Sequence, residues 1–341
     1  TPTAPPAPAA PPRAAPRPPP PRRCGARRTR RARRLRRPGR RSALAPQLPV
    51  ADRETCPGAG RCAEVCPENA LELVDEKATT VEDRAETCIS CGQCVAVCPT
   101  EALQMPNLEI YGFRRLEKRA FGFDEFFEFL RTRRSVRAFK DRPVERDVID
   151  KILAAAATAP MGFPPHTTEV VVIDQREELN FLLGRLVEHY DSMTKAFSSP
   201  IGRAIVRLNT GAEIYGVLKN HIIDTARFAN EVFRRDGVDR YMYRAPVLMM
   251  FHASRWGMSY EENAHLVCHH AMLSAVALGL GTTIIGMITP VVDRSKELRE
   301  RYGIPKDHRV LTSLILGYPK YKYRQGIRRD LAGVQFNTAV N

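Results

Sequence analysis

The feature of this sequence most directly tied to chemistry is a run of four cysteines that ends in proline. The residues are Cys88, Cys91, Cys94 and Cys98, in the order C-x2-C-x2-C-x3-C, with Pro99 directly after the last. Three cysteines spaced two residues apart lie on one tight loop and reach three corners of an iron-sulfur cubane, while the fourth turns toward a second cluster. A zinc site usually shows two separated C-x2-C pairs. The spacing therefore predicts one-electron chemistry at an iron-sulfur cluster, with zinc binding and plain buried cysteines as the alternatives.

The same segment occurs 32 residues earlier in the chain. The cysteines that match Cys88, Cys94 and Cys98 in the earlier copy are Cys56, Cys62 and Cys66. An internal duplication explains such a repeat most simply. Ala59 stands at the position equivalent to Cys91, so the first copy reads C-x5-C-x3-C-P and lacks one ligand. The two copies therefore predict two cluster sites of different completeness.

Together the two copies resemble a two-cluster bacterial ferredoxin, a class in which each motif lends its last cysteine to the other cluster. The resemblance implies one complete ligand set, formed by Cys66, Cys88, Cys91 and Cys94. It leaves three ligands for the other site, namely Cys56, Cys62 and Cys98. Three thiolates beside an alanine suit a 3Fe-4S cluster or a 4Fe-4S cluster with a non-protein ligand. A first site that holds no metal is the third alternative.

The net charge of +15 comes from one end of the chain. Residues 1–50 contain 14 arginines and no lysine or acidic residue, so the other 291 residues carry 39 basic and 38 acidic side chains. That larger part is close to neutral, and it does not indicate a basic groove for specific nucleic-acid binding. The tail is mainly proline, alanine and arginine, and we expect it to be disordered and incidental to function.

The numbers of cysteines and the hydropathy of the chain indicate the cellular compartment in which the protein is expected. The sequence contains no run of 18 apolar residues, so it predicts no membrane span. Seven of the nine cysteines are candidate cluster ligands, and of the other two Cys24 lies in the tail and Cys268 in a helical stretch. This usage argues against a disulfide framework, and iron-sulfur ligation without an export signal favours a reducing environment. We therefore expect a cytoplasmic protein.

The sequence predicts an α+β organisation, with a small ferredoxin-like iron-sulfur domain ahead of a mixed α/β domain. The predicted boundaries are 1–50 for the disordered tail, 51–108 for the iron-sulfur domain, 109–122 for a linker and 123–341 for the second domain. In the second domain the apolar pattern predicts strands over 169–173, 246–253 and 310–316 and helices around 148–153, 177–190 and 261–278. Residues 191–239 lack strand signals, and we expect them to be helical.

An arginine-rich run opens the second domain. Arg133, Arg134 and Arg137 lie within five residues together with Ser135, and their forked donors suit a phosphate group. Alone, such a run is more often a solvated surface. Three later segments change the interpretation: residues 159–162 (APMG), 279–286 (GLGTTIIG) and 316–319 (LGYP), the last of these ahead of an arginine pair. In this order the segments resemble the FMN-dependent nitroreductase family over roughly residues 123–336.

The resemblance implies a nitroreductase-type mixed α/β flavin domain whose FMN site is built from four segments. The implied contacts are Arg133, Arg134, Ser135 and Arg137 on the phosphate, ribityl and pyrimidine groups; Pro160, Met161 and Gly162 from the partner subunit; Ile285 and Gly286 near flavin N5 and O4; and Arg328 on the phosphate, with Arg329 as its competitor. A fixed N–H near N5 and O4 would stabilise the charge of reduced FMN. Met161 replaces the family's serine, so we expect backbone contacts in that loop.

Two redox modules in one chain predict an iron-sulfur flavoprotein oxidoreductase. FMN would convert between single electrons and the pair delivered to a small organic acceptor, such as a nitroaromatic, a quinone or another conjugated electrophile. We expect no catalytic side chain, because the cofactor carries the hydride chemistry. A reduced ferredoxin or a similar protein is the expected electron donor, although the opposite direction of flow fits equally. The family resemblance implies a homodimer.

Two other functions fit the same residues. The chain could serve as a non-enzymatic electron carrier or redox sensor, or as an NAD(P)H-dependent nitroreductase whose ferredoxin module is structural. A substrate pocket that is open at the flavin would favour an enzyme. A pocket that the protein itself fills would favour an electron carrier. We interpret His269 and His270 as structural, with substrate or proton contact as the alternative. The roles of His252 and Tyr243 are similarly open.

Overall fold

A computed structural model describes residues 48–105, 116, 121–162, 167–327 and 329–336. The predicted disordered tail lies outside these residues up to position 47, and so does most of the predicted linker. The proposed domain boundaries stay predictions. No helix in the described ranges combines the length and the apolar character that crossing a bilayer requires.

The iron-sulfur module is built from short elements. In chain order they are β1 (Val50–Ala51), α1 (Arg61–Glu64), β2 (Leu71–Val74), β3 (Lys77–Thr80), a 3-10 helix (Glu82–Thr87), α2 (Gln93–Val97) and β4 (Leu103–Gln104). Strand β1 pairs antiparallel with β4, and β2 pairs antiparallel with β3. Asp75 and Glu76 connect β2 to β3 with positive φ at both positions, as a tight two-residue hairpin turn requires. Elements this short bury little apolar surface on their own.

The sequence repeat is also a repeat of backbone conformation. Left-handed φ values recur at three pairs of positions 32 residues apart: Gly58 (74°) and Ser90 (53°), Gly60 (70°) and Gly92 (73°), and Asn69 (49°) and Glu101 (59°). Gly60 and Gly92 each precede the short helix of their copy. Such conformations are costly for residues other than glycine, so their recurrence at Ser90, Asn69 and Glu101 shows that both copies keep the same loop shape.

The second domain is organised around a four-stranded antiparallel sheet. Its strands are β5 (Thr168–Ile173), β6 (Val247–Ser254), β7 (Gly281–Ile284) and β8 (His308–Gly317), in the order β5-β6-β8-β7. The central strands β6 and β8 are buried on both faces, which explains their continuous apolar sequence. A bulge between Phe251 and His252 shifts the register of β6 against β8. The sheet brings the start of β7 beside the end of β8.

Helices cover both faces of this sheet. The helices of the domain are α3 (Phe123–Thr132), α4 (Arg146–Ala156), α5 (Arg176–Ser198), α6 (Pro200–Val217), α7 (Ile223–Asp236), α8 (Tyr260–Ala277), α9 (Thr289–Arg294) and α10 (Lys296–Arg301), with a π-helical turn over Leu218–Ile222, and α4 and α8 cover one face while α5 and α7 cover the other. Side chains alternate along β6: Val247 and Met249 pack with α4 and α8, while Leu248 and Met250 pack with α5 and α7. Each face of the sheet therefore has its own apolar core.

The structure confirms the predicted fold class and most of the predicted elements. The observed strands β5, β6 and β8 start and end within two residues of the predicted strands, and α8 lies one residue from its predicted range. Residues 191–239 are largely helical, as expected. The prediction missed β7, which lies inside the GLGTTIIG segment. Four residues between two glycine-containing stretches are too few for a periodic signal, so only pairing with β8 identifies the strand.

Candidate functional site

Four cysteines of the iron-sulfur module line one cavity, which we call the second site. They are Cys66, Cys88, Cys91 and Cys94. Cys94 lies in the first turn of α2 and is buried, and the Cys66 sulfur accepts a hydrogen bond from the Ala70 N–H at 3.3 Å. Pro67, Leu71 and Met105 also line the cavity and give it an apolar wall. The structure thus brings together the complete ligand set that the resemblance implied.

The other three cysteines line a separate cavity, the first site. They are Cys56, Cys62 and Cys98, and Ala59 lines the same cavity. Cys56 and Cys62 are buried, whereas Ala59 is exposed. Leu73, Ala78 and Leu103 form part of the apolar wall. Each motif therefore contributes its last cysteine to the other motif's cavity.

The chemistry of these thiols depends on their burial. Burial raises the pKa of Cys94 to about 11, and it also raises the pKa of Cys62 and of Cys88. At the first site, N–H groups of Ala78 and Gly58 donate to the Cys56 sulfur and lower the pKa of that thiol. The thiols of Cys62, Cys88 and Cys94 are therefore protonated at neutral pH until metal binding displaces the protons. N–H donors to sulfur also stabilise the more negatively charged, reduced state of a bound cluster.

The spacing of the cysteines fits clusters better than single ions. In the part of the chain that the structure describes, no three His, Cys, Asp or Glu side chains are close enough together to chelate one metal ion. Zinc thiolates all lie about 2.3 Å from a single centre. A cluster of several irons and sulfides is larger, so its thiolates stand farther apart. The four sulfur donors at the second site are the ligand set that a 4Fe-4S cluster takes.

The arginine-rich run of the second domain is an extended segment that follows the edge strand β7. The Val136 N–H donates to the Thr282 carbonyl at 2.9 Å, and Ser135 bridges to Thr282. The contact requires glycine at position 281, because a Cβ there would lie 2.7 Å from the Val136 side chain. The GLG sequence thus serves close packing of this segment on the sheet. The pairing fixes Arg133, Arg134 and Ser135 at the edge of the sheet.

Four arginines line a cavity of 670 Å³ beside α3, and one of them, Arg131, is paired with Glu128. Arg133, Arg134 and Arg329 line it together with Phe127, Leu130, Arg131, Ile327 and Asp330. Burial, and then the charges of Arg134 and Arg329, lower the pKa of Arg133. Among the described residues, none of these three guanidinium groups forms an ion pair with a carboxylate. Because unpaired cations repel one another, such a cluster is stabilised by a bound anion.

The predicted phosphate arginine Arg328 lies outside the described residues, and its competitor Arg329 is at the cavity. Ser135 and Arg137 are exposed. The Arg137 guanidinium lies 5.8 Å from the ring centre of Tyr243, close enough for a cation-π contact. The structure therefore brings Arg133, Arg134 and Arg329 together and directs Arg137 to the neighbouring aromatic residue.

The segment Pro160–Gly162 is fixed by a buried amide. The Gly162 N–H donates to the Asn263 side-chain oxygen at 2.8 Å, and Asn263 is 1% exposed at the start of α8. A Cβ at Gly162 would lie 3.3 Å from the Met258 carbonyl, so this position favours glycine. Met161 packs against the core beside α4 and α8. Residues 163–166, which continue the loop, lie outside the described residues.

Ile285 and Gly286 follow directly after β7 and differ in their contacts. The Ile285 N–H donates to the Ser313 carbonyl at 2.9 Å, and the Ser313 hydroxyl donates to the Ile285 carbonyl at 2.6 Å. Both backbone groups of Ile285 are therefore used inside the protein. Gly286 is exposed, and a Cβ added there would meet no atom within 4 Å. Of this predicted pair, only Gly286 faces open space.

The histidines have contacts that the sequence did not predict. The Nδ1 atoms of His252 and His308 are 2.9 Å apart, and both rings are buried in the sheet. His270 Nδ1 lies 3.0 Å from the Leu266 carbonyl within α8. Burial, and then the charges of His270 and Arg133, lower the pKa of His269. No sequence signal links His252 to His308 or Asn263 to Gly162, because each pair is joined only by the tertiary fold.

A family model of the Nitroreductase family matches residues 130–318, more than half of the chain. The chain belongs to this family, which confirms the predicted family, fold and oxidoreductase class. A 4Fe-4S dicluster domain matches residues 55–102, in agreement with the predicted ferredoxin-type domain.

Curated relatives match more than half of the chain. A protein of Archaeoglobus fulgidus, provisionally named an NADH dehydrogenase/NAD(P)H nitroreductase, is 26% identical over 197 residues, which are 58% of this chain and 87% of the relative. Rat iodotyrosine deiodinase 1 is 24% identical over 204 residues, which are 57% of this chain and 62% of the relative.

Part of the chain also aligns with several solved structures. A nitroreductase with bound FMN from Bacteroides fragilis aligns with 63% of this chain and 98% of its own, at 19% identity and a TM-score of 0.47. A nitroreductase with bound FMN from Desulfitobacterium hafniense aligns with 64% of this chain and 100% of its own, at 18% identity and a TM-score of 0.46.

Proposed function

We propose that this protein is an iron-sulfur flavoprotein oxidoreductase that exchanges electrons between cysteine-bound clusters and FMN and reduces a small organic acceptor. The observation that carries the proposal is the presence, in one chain, of two thiolate cavities and an arginine-lined cavity at the edge of a nitroreductase-type sheet. The first two suit centres that carry single electrons. The last suits a phosphorylated cofactor.

FMN would be held by its phosphate at the arginine cavity. Arg133, Arg134 and Arg329 would donate to the phosphate oxygens, and Arg328 remains a proposed further contact. Charge-assisted bonds of this kind are about twice as strong as neutral ones. Bound FMN supplies the hydride chemistry. The chain's residues bind, orient and stabilise the charge of that cofactor.

Gly286 is our proposed donor to the N5 and O4 edge of the flavin. Its neighbour Ile285 uses its N–H within the sheet, which leaves Gly286 as the candidate of this pair. A fixed N–H beside a group that becomes negatively charged stabilises the charged form without reorganisation. The anchoring of Ile285 by Ser313 on both backbone groups would hold Gly286 rigidly for this role.

A homodimer is part of the proposal. On α6, the side chains of Ile201, Ile205 and Leu208 lie on one face and are 74%, 52% and 85% exposed in the single chain. Three exposed apolar side chains on one helix face support the proposal that a second subunit covers them. Pro160, Met161 and Gly162 would then approach the flavin of the second subunit. Light scattering should give the mass of a dimer, and Leu208→Glu should shift the protein toward the monomer with reduced FMN content.

Charge favours a particular class of electron donor for the iron-sulfur module. Residues 48–105 carry 11 acidic and 4 basic side chains, and most of the acidic ones are exposed. A donor protein with a basic docking face would therefore bind this module best. The rate at which the two proteins associate should fall as salt is added. A ferredoxin or similar carrier remains our proposed donor, provided that it presents such a face.

A second candidate is an NAD(P)H-dependent nitroreductase in which the module is structural. It is favoured by the name of the A. fulgidus relative. Steady-state reduction of a nitroaromatic should be measured with NADPH and with dithionite-reduced methyl viologen, in the wild type and in a Cys66→Ala/Cys94→Ala variant. We expect loss of the viologen-driven rate in that variant. An NADPH rate that is high in both proteins would establish the second candidate instead.

A further inference from the structure

The two cysteine sites differ at the ligand position that faces solvent, which we call the open corner of each site. Ala59 and Cys91 occupy equivalent positions in the two copies, and both are exposed. The ligands at the other three corners are buried or half-buried at both sites. The left-handed loop residues that surround this corner recur in both copies, so the loop at Ala59 keeps the shape that presents a ligand. The first site therefore lacks its protein ligand at the corner that solutes can reach.

The first site has also kept the features that a metal centre needs. Its three cysteines line one cavity, and Cys56 and Cys62 belong to the core of the module. A site that had merely lost its function would have no reason to keep three thiols at one apolar cavity. These observations disfavour an empty first site.

Positive charge distinguishes the surroundings of the first site from those of the second. Arg61 lines the first cavity together with Ala59, and Gln93 lines the second at the equivalent position. Among the described residues the Arg61 guanidinium has no carboxylate partner. Lys77 adds a second cation and donates to the Cys56 carbonyl at 2.6 Å. An anion bound at the Ala59 corner would be stabilised by these charges.

We propose that the first site is an exchangeable metal site, in which the Ala59 corner takes up one ferrous ion from solution and a small thiolate completes its coordination. The proposal rests on the proposed function, since it requires that the three cysteines hold a cluster. The thiolate would occupy the place that the Cys91 sulfur occupies at the second site. Arg61 would oppose its negative charge.

Uptake of the ion balances in atoms and electrons. A three-iron cluster first accepts one electron from an added reductant. The ferrous ion would then bind to three sulfides and to the external thiolate, and no electron would enter or leave the site in that step. The proton released by the thiol goes to solvent. Oxidation reverses the process and releases the ion together with the thiolate. Occupancy of the corner would therefore follow the supply of reductant and ferrous iron.

The experiment uses the full-length protein, purified anaerobically and analysed by electron paramagnetic resonance and iron content. Dithionite, ferrous ammonium sulfate and 2-mercaptoethanol are added, excess iron is removed, and ferricyanide is added last. We expect the three-iron signal of the wild type to disappear on loading, with a gain of about one iron per chain. The signal should return on oxidation. A three-iron signal and iron content that loading leaves unchanged would overturn the proposal.

Two reciprocal variants make the test specific. Ala59→Cys supplies the missing ligand, so we expect no exchangeable iron and no three-iron signal. Cys91→Ala opens the second site, so we expect a second exchangeable iron in a site without the nearby Arg61. Either variant is sufficient if the other does not fold. Exchange that persists in Ala59→Cys, or that is absent in Cys91→Ala, would contradict the assignment to this corner.

The role of Arg61 has its own control. We expect Arg61→Gln to weaken mercaptoethanol binding to the loaded site about two- to fivefold, as suits an exposed charge. Arg53→Gln alters an exposed arginine of the same module outside the cavity lining and should leave the affinity unchanged. Equal affinities in all three proteins would remove Arg61 from the proposal.

If the wild type contains no first-site iron at all, the two-cluster part of the proposed function fails; if it contains inert iron, only the exchange inference fails.

Discussion

At the first site the solvent-facing corner of the cluster cavity is held by Ala59, and at the second site the same corner is held by Cys91. The surrounding backbone is the same, since left-handed residues recur at each equivalent position. The comparison shows that loop shape and ligand chemistry can diverge independently after a duplication. Shape is set by residues such as Gly60 and Gly92, which are common to both copies, whereas the ligand depends on a single side chain.

The largest expected effect comes from removing the clusters, which should unfold both halves of the module together. Among its described residues the core cluster contains eight buried side chains, three of them cysteines, so we expect metal binding to supply much of the folding free energy of the module. After anaerobic oxidation and chelation, hydrogen exchange should show lost protection in β2 and β3 and unchanged protection in β6 and β8. Protection that persists in either half would show that this half folds without metal.

Removing one buried ligand from each site should separate their iron contents. Cys62 and Cys94 are equivalent and similarly buried, which makes Cys62→Ala and Cys94→Ala a matched pair. We expect the first variant to lose about three irons and the second about four. Iron and sulfide analysis under argon measures the difference. Equal losses would mean that the two sites hold the same kind of cluster.

A change at the arginine cavity, the proposed phosphate site of FMN, should leave both cysteine sites intact and so sharpen the comparison between them. Arg133→Gln removes a charged donor worth about 1.5–3 kcal/mol, so FMN should bind roughly 10- to 100-fold more weakly. Arg146→Gln is the control, since Arg146 forms an exposed ion pair with Asp150. Fluorescence titration gives the affinities and iron analysis checks the clusters. Unchanged FMN affinity in Arg133→Gln would contradict the proposed phosphate site.

The smallest expected effect concerns Gly286. A side chain there meets no protein atom within 4 Å, so Gly286→Val should leave thermal stability nearly unchanged while weakening FMN binding about tenfold. Gly281→Ala should behave in the opposite way, because its Cβ would clash with Val136 and cost about 1–3 kcal/mol of stability. Calorimetry and FMN titration on both proteins measure the two effects. Normal FMN affinity in Gly286→Val would remove this residue from the flavin site.

Much of the cluster chemistry could be predicted from sequence because it is local. The spacing from Cys88 to Cys98 and its repeat gave the two groups of cysteines that the structure brings together. The strands β5, β6 and β8 could be predicted because each is long and apolar. These signals lie within windows of a few residues, where the physical cause and the sequence pattern coincide.

The flavin-domain contacts could be predicted less completely, because they join distant parts of the chain. The Gly162 N–H finds its acceptor on Asn263, and Arg329 meets Arg133 at a cavity that no local pattern defines. The family resemblance paired Ile285 with Gly286, and only the hydrogen bonds to Ser313 distinguish the roles of the two residues. Tertiary pairing creates such differences, so the sequence pattern does not contain them.

The central claim is that one chain holds FMN and two unequal clusters. Its most direct test is anaerobic purification followed by counts of iron, sulfide and FMN per chain, with optical and electron paramagnetic resonance spectra of the oxidised and reduced protein. We predict one FMN, about seven irons, a three-iron signal in the oxidised protein and a four-iron signal on reduction. Protein that lacks flavin, or that contains four irons or fewer, would contradict the claim.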